Sequence, residues 1–358
     1  MKVEKGKKKI LSIIILVLIG IMLFFTRKDN QDKFVGFVQN IGISNREFKE
    51  VSTITTEEDV EDFTFYDKGI IVCGNKKLIK FKMDGSKEWE RIFNVDDLGI
   101  TFGESSIYVY DKATGDIYFL NSKGETIKRV HLKTKINNMV ENFGNIIAHI
   151  EKSDMEGIII LDQEGEIVEE KMVERGNILT YSLAKGDQIY AISLLDLGGD
   201  ELNSQVKIFK LDGELLFDIP ITDEIIVHSQ FIDEGKLLVT SDKGLYCIYD
   251  GEILWDKKFK SINHIYIDEE KINILHGDRL EFMSFDGNIL NSRSLAERYN
   301  KVNPYNKGLI LYGNEYIMGL KNNKEIFKYR GEGDILKVDH GRDKLIINYK
   351  DRIDIISK

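Results

Sequence analysis

Residues 75–93 read NKKLIKFKMDGSKEWERIF, and residues 245–259 read LYCIYDGEILWDKKF. Each holds an alternating apolar run, an Asp-Gly pair, and a second strand-like run with Trp four residues after the Gly: Gly85 to Trp89 and Gly251 to Trp255. Period-two alternation marks a strand with unlike faces, and Asp-Gly supplies the positive-φ backbone of a two-residue hairpin. The turn chemistry recurs at Lys123-Gly124, Glu164-Gly165, Asp212-Gly213, Asp286-Gly287 and Asn322-Asn323, with successive spacings of 39, 41, 48, 38, 36 and 36 residues. An apolar run precedes each unit: GIIVCG, SIYVY, NIIAHI, QIYAIS, KLLVTS, KINILHG, GLILYG and, at the end, KLIINY. Near-continuous apolarity over five or six residues suits strands covered on both faces. A period near 40 residues with several strands per unit is the pattern of a β-propeller, and the Val, Ile, Tyr and Phe content argues against a helical solenoid.

The last unit, KLIINYKDRIDIIS, supplies two strands and stops where the turn and next strand are due. Near the other end NREFKEV, residues 45–51, has the pattern of SKEWERI, residues 86–92, with no strand pair ahead of it. Setting this orphan strand in the incomplete unit closes the ring and removes an open sheet edge. The fold expected is all-β: an eight-bladed propeller over 45–358, closed by pairing N-terminal and C-terminal strands and preceded by one transmembrane helix. Seven blades is the alternative, if the divergent third and fourth units merge.

The helix is read from ILSIIILVLIGIMLFF, Ile10 to Phe25, broken only by Ser12 and Gly20. Sixteen helical residues span about 24 Å, short of the ~30 Å hydrocarbon core, but Thr26 extends the run and Lys9 and Arg27 can snorkel. A cleaved signal peptide is the competing reading; no small-x-small site follows the run, so an uncleaved anchor over 10–26 is expected. Lys5, Lys7, Lys8 and Lys9 hold the tail 1–9 in the cytoplasm. The linker 27–44 and the propeller are then extracytoplasmic.

Residues 1–28 carry seven Lys or Arg against Glu4, a charge of +6; taking this from the chain's −10 leaves −16 on the remaining 330 residues. A body this acidic repels nucleic acid. Cys73 and Cys247, 174 positions apart, form neither a disulfide framework nor a Cys-rich metal site, and read as buried, inert thiols.

The Gly-x-x-x-Trp spacing resembles the quinoprotein-type (PQQ-like) propeller repeat, in which the Trp docks one blade on the next. The resemblance covers residues 45–358. It makes Gly85, Trp89, Gly124, Gly165, Gly213, Gly251, Trp255 and Gly287 the structural repeat positions, with Phe48, Ile127, Val168, Phe217, Leu290 and Phe327 at places equivalent to the Trp. Anchor plus propeller together look like uncharacterised membrane-anchored propellers of Clostridia, a domain-of-unknown-function family, which brings no function with it. The Lys-, Ile- and Asn-rich usage is similar to that of low-GC Gram-positive bacteria.

Quinoproteins of this fold hold pyrroloquinoline quinone over a vicinal Cys pair, a signature missing here, so no cofactor is expected. The six His show no H-E-x-x-H or H-x-H spacing, and no G-x-S-x-G elbow occurs. The insertion LLDLGGDELNSQ, 194–205, groups Asp196, Asp200, Glu201 and Asn203 beside two glycines. Oxygen ligands on such a loop are weak candidates for Ca²⁺, and a solvated loop explains them equally well. The function expected is non-catalytic: a binding or scaffold protein for a protein or cell-envelope partner. The alternatives are a glycan-active enzyme with axial carboxylates and the ligand-sensing subunit of a membrane complex.

Overall fold

A computed structural model of the chain describes residues 48–56, 60–186, 188–198, 203–233, 235–341 and 343–357. The expected anchor at 10–26 and the linker at 27–44 lie outside the described residues, among which no helix is long and apolar enough to cross a membrane.

Among the described residues thirty-two strands, numbered in chain order, form eight four-stranded antiparallel sheets. Blade 1 is Asp62–Tyr66, Gly69–Gly74, Lys77–Lys82 and Lys87–Ile92 (β2–β5). Blade 2 is Leu98–Phe102, Ile107–Asp111, Asp116–Leu120 and Thr126–His131 (β6–β9). Blade 3 is Lys135–Asn142, Asn145–Lys152, Met155–Leu161 and Ile167–Met172 (β10–β13). Blade 4 is Asn177–Leu183, Ile189–Asp196, Asn203–Lys210 and Leu215–Thr222 (β14–β17). Blade 5 is Ile226–Asp233, Lys236–Ser241, Gly244–Tyr249 and Glu252–Lys258 (β18–β21). Blade 6 is His264–Ile267, Ile272–His276, Arg279–Met283 and Ile289–Ser294 (β22–β25). Blade 7 is Lys301–Tyr305, Gly308–Tyr312, Tyr316–Lys321 and Lys324–Arg330 (β26–β29). Blade 8 joins the termini: Lys337–Gly341, Leu345's strand Lys344–Asn348 and Arg352–Ser357 (β30–β32) are completed by Lys49–Thr55 (β1), which pairs with β32.

The propeller thus has eight blades, and its closing strand comes from the N-terminus. That strand begins a few residues later than the sequence pattern placed it. A bulge between Glu50 and Ser52 sets its register, with Ser52 opposite Ile355.

The first strand of each blade is the inner one. The inner strands of blades 2 and 3, 4 and 5, 6 and 7, and 8 and 1 approach one another most extensively. The apolar runs legible in the sequence are the second strands, which are the most buried, as in β3 and β7. Their side chains divide between the two neighbouring junctions. Ile71 and Cys73 enter the core between blades 1 and 2, while Ile70 and Val72 enter that between blades 8 and 1. Eight separate hydrophobic cores result, one per junction.

The turns between third and outer strands follow two geometries. Asp250-Gly251 and Asn322-Asn323 have positive φ at both residues, as two-residue hairpins require. At Gly85, Gly124, Gly165, Gly213 and Gly287 the Gly has positive φ, and its N–H closes a turn three residues back. These five are type I turns with a Gly bulge, not two-residue hairpins.

Candidate functional site

Beyond each turn the outer strand bulges, which fixes the residue that faces the next blade. Gly plus four is the docking position, as in Trp89 opposite Lys80 and Trp255 opposite Cys247. By register the other docking positions are Ser52, Lys128, Glu169, Phe217, Asn291 and Phe327. Phe217 and Phe327 stand where the sequence pattern put them. Ile127, Val168 and Leu290 do not: each is one residue short, on the opposite face, and 61%, 40% and 59% exposed. Phe48 does not hold the docking position either, preceding Ser52 by four residues, and packs edge-on against Phe327 and Tyr329 of blade 7.

The docking residues also act through hydrogen bonds to the next blade's turn. Trp89 Nε1 donates to Ser122 O at 3.2 Å and Trp255 Nε1 to Phe285 O at 2.9 Å, while in blade 3 Lys171, two residues beyond the docking position Glu169, donates from Nζ to Gly213 O at 3.0 Å. Between blades 6 and 7 the indole is replaced. Asn291 is exposed, and the buried Arg293, two residues on, donates from Nη1 to Asn323 O at 3.0 Å and pairs with the buried Glu325 at 3.5 Å. Burial holds the Glu325 carboxyl above its ordinary range despite the guanidinium.

The inner strands leave one edge free toward the axis, and side chains from neighbouring blades satisfy part of it. Thr101 Oγ1 donates to Met139 O at 2.6 Å, Asp339 Oδ2 accepts from Phe65 N at 2.7 Å and from Thr64 Oγ1 at 2.9 Å, and His264 Nδ1 lies 3.1 Å from Val302 O. Burial, reinforced by the charge of Lys301, pushes the His264 imidazole down to about 4, so it is neutral at pH 7. Burial lowers His228 and His340 as well. Three inner-strand carboxylates, Asp62, Glu141 and Asp339, are committed to structure. Asp62 pairs with Lys337, Glu141 accepts from the backbone N–H of Glu104 and Gly144, and Asp339 caps blade 1.

One large basin, of about 1690 Å³, opens on the face that carries the inner and outer hairpin turns of blades 5, 6 and 7. The 268–271 turn forms part of its rim. The Asp268 carboxylate accepts from Glu270 N at 2.9 Å, Lys271 N at 2.8 Å and the buried Asn273 Nδ2 at 3.0 Å. Burial alone would raise this carboxyl, but those bonds hold it below its ordinary range. Glu269, Glu270, Lys185 and Lys307 remain exposed around the rim, and Leu290 and Asn291 reach it from β25. The basin has turns, charges and an apolar shelf, the features of a recognition surface.

Of the calcium candidates, Asp196 and Asn203 lie on the opposite face, where Asp196 lines a hollow of about 560 Å³. Asp196 forms an ion pair with Arg175 at 2.7 Å and accepts from Gly198 N at 2.8 Å, while Asn203 opens β16 opposite Asp196. Asp200 and Glu201 lie outside the described residues. Cys73 and Cys247 are free and buried, and desolvation pushes the Cys73 thiol up to about 12. Among the described residues no group of three His, Cys, Asp or Glu is arranged to hold a metal.

With this geometry in place, a family model matches residues 44–357, the span of the ring. The chain belongs to DUF5711, a family of unknown function. Comparison with curated proteins finds no match. Among solved structures the chain is similar to Sqt1 of Saccharomyces cerevisiae, at 12% identity and a TM-score of 0.61 over 88% of this chain and 99% of that one. It is also similar to the C-terminal WD40 domain of Sif2, at 11% identity and 0.61 over 88% and 99%. BamB from Moraxella catarrhalis matches at 12% identity and 0.58 over 87% and 100%. At these identities the likeness is one of fold. It joins this DUF5711 chain to the propellers and leaves its activity to the site.

Proposed function

We propose that this DUF5711 propeller is a non-catalytic binding or scaffold protein, held at the outer face of a cell membrane by residues 10–26, whose ring receives a protein or cell-envelope partner. The observation that carries this reading is a contrast between axis and face. Asp62, Glu141 and Asp339 on the inner strands are spent on structural bonds, whereas the rim of the 1690 Å³ basin keeps exposed charges and apolar groups. An axial acid–base pair needs carboxylates that can change protonation without costing the fold, and Asp339 and Glu141 are not of that kind. A closed ring also offers a rigid surface, so little ordering entropy is lost on binding.

The test is in-cell crosslinking of the full-length chain, followed by mass spectrometry of what it captures. One reproducible membrane or envelope partner is expected, retained when residues 1–28 are replaced by an unrelated anchor. Capture lost with the foreign anchor moves recognition to the helix. Absence of any reproducible partner overturns the scaffold reading.

A further inference from the structure

Just ahead of the ring, and outside the described residues, the sequence at 34–44 reads FVGFVQNIGIS. These eleven residues carry no charge, and six of them, Phe34, Val35, Phe37, Val38, Ile41 and Ile43, are large and apolar. Solvated linkers are poor in such groups. The polar run RKDNQDK, 27–33, separates them from the apolar run Ile10 to Phe25, and eleven residues are too few to cross a bilayer. The segment needs cover, and the path of the chain says where cover is at hand. β1 is an outer strand, so its start at Lys49, opposite Ser357, lies on the face of the turns that carries the basin. One residue earlier, Phe48 packs on Phe327 and Tyr329 of blade 7. Ser44 stands four residues before Phe48, hence within about 14 Å of it, and the eleven residues reach about 36 Å beyond. Blade 7 in turn supplies Pro304, Leu309, Leu320 and the turn residues Asn322 and Asn323 to the basin.

We propose that the occupant of the basin is this chain's own residues 34–44, so that an outside partner gains the basin only by displacing them. The lining suits an uncharged occupant. Lys185, Lys271 and Lys307 are matched by Asp268, Glu269 and Glu270, so neither sign of charge is favoured and apolar contact decides. Phe143 and Leu290 offer that contact, 48% and 59% exposed, and the amides of Gln230, Asn291 and Asn306 can bond an uncharged backbone. Tethering presents the segment to the basin at an effective concentration on the order of millimolar, so weak contacts suffice to hold it. The inference goes beyond the binding function argued above, and its failure leaves that function standing, since an uncovered basin is open to a partner.

The test uses the full-length chain in lipid nanodiscs, so that a bilayer is present as a rival for the segment. Phe37 is replaced by the photocrosslinker p-benzoylphenylalanine, and its adducts are mapped by mass spectrometry. Adducts within one chain to the basin's lining, above all to residues 266–271 and 304–309, are expected. Adducts to lipid, to a second chain or to the ring outside the basin overturn the proposal, and so does the absence of any adduct. Hydrogen exchange of F37D/I41D keeps the test decisive if the photolabel disturbs the segment, with circular dichroism to check that the ring is folded. Amides of the 268–271 and 306–308 turns should exchange at least tenfold faster than in the unsubstituted chain. Those of Asp242 and Lys243, in a turn on the opposite face, should stay within twofold. Unchanged exchange at the basin, or an equal rise on both faces, overturns the proposal. A fluorescent peptide of residues 33–46 should bind F37D/I41D saturably and the unsubstituted chain at least tenfold more weakly, because there the basin is already filled. Equal binding to the two, or none to F37D/I41D, overturns it as well.

Discussion

Trp255 lies with its indole against Gly287 of the next blade, and its Nε1 donates to Phe285 O at 2.9 Å. Gly287 is required there twice over: its φ is +77°, and a Cβ on it would come within 2.8 Å of indole Cδ2. G287A should therefore cost about 1–3 kcal/mol in urea unfolding from the left-handed backbone and the clash. W255A should cost about 2–4 kcal/mol from lost burial and the lost bond. Removing the indole also removes the clash, so the double variant should fall short of the sum by at least 0.5 kcal/mol. Additivity would mean that ring and glycine do not touch. The docking Trp was legible because it stands four residues after a turn glycine, Gly251 to Trp255. Its counterparts Lys128, Glu169 and Asn291 were not, because nothing in their chemistry resembles an indole. The nearest aliphatic in each case, Ile127, Val168 or Leu290, stands one residue away and on the opposite face.

Among the elements, second and third strands stand out in the sequence, and inner strands do not. GIIVCG and KLLVTS are buried along nearly their whole length, so selection for apolarity acts at every position. KINNMVEN (β10) and KVDHG (β30) run beside the axis, half wet, and spend polar side chains on a free backbone edge, which erases the period-two signal. The same polarity hid the candidate site, since the basin's rim is built from loops after inner strands. Closure of the ring was legible because an incomplete blade at one end matched an orphan strand at the other. β1 carries that closure through Ile54, buried at 4% exposure opposite Ile353. I54A should cost about 2–4 kcal/mol although it lies in the first strand of the ring. V51A, on the exposed part of the same strand, should stay within about 0.5 kcal/mol. Equal, small effects in thermal or urea unfolding would show that β1 is dispensable and that blade 8 stands on three strands.

In the whole molecule, no blade owns a core. Each lends one face to the junction before it and one to the junction after, so eight blades share eight cores in a circle. A linear repeat array can fray from an end because each unit contacts only its neighbours. A closed ring has no end, and opening it anywhere sacrifices a full junction before any chain entropy is regained. The two tryptophans are well placed to test this. Trp89 reports the junction of blades 1 and 2, and Trp255 that of blades 5 and 6, on opposite sides of the ring. In W89F and W255F each remaining indole reports its own side, and phenylalanine keeps most of the buried area. Cooperative unfolding of the closed ring predicts that each variant's fluorescence midpoint coincides with its own circular dichroism midpoint. Adding I54A weakens closure between blades 8 and 1, next to Trp89 and far from Trp255. If closure governs the whole, both reporters shift together, each still matching circular dichroism. If the propeller behaves as an open array, the Trp89 signal falls at lower urea while the Trp255 signal holds, and the stability of the ring is local to each junction.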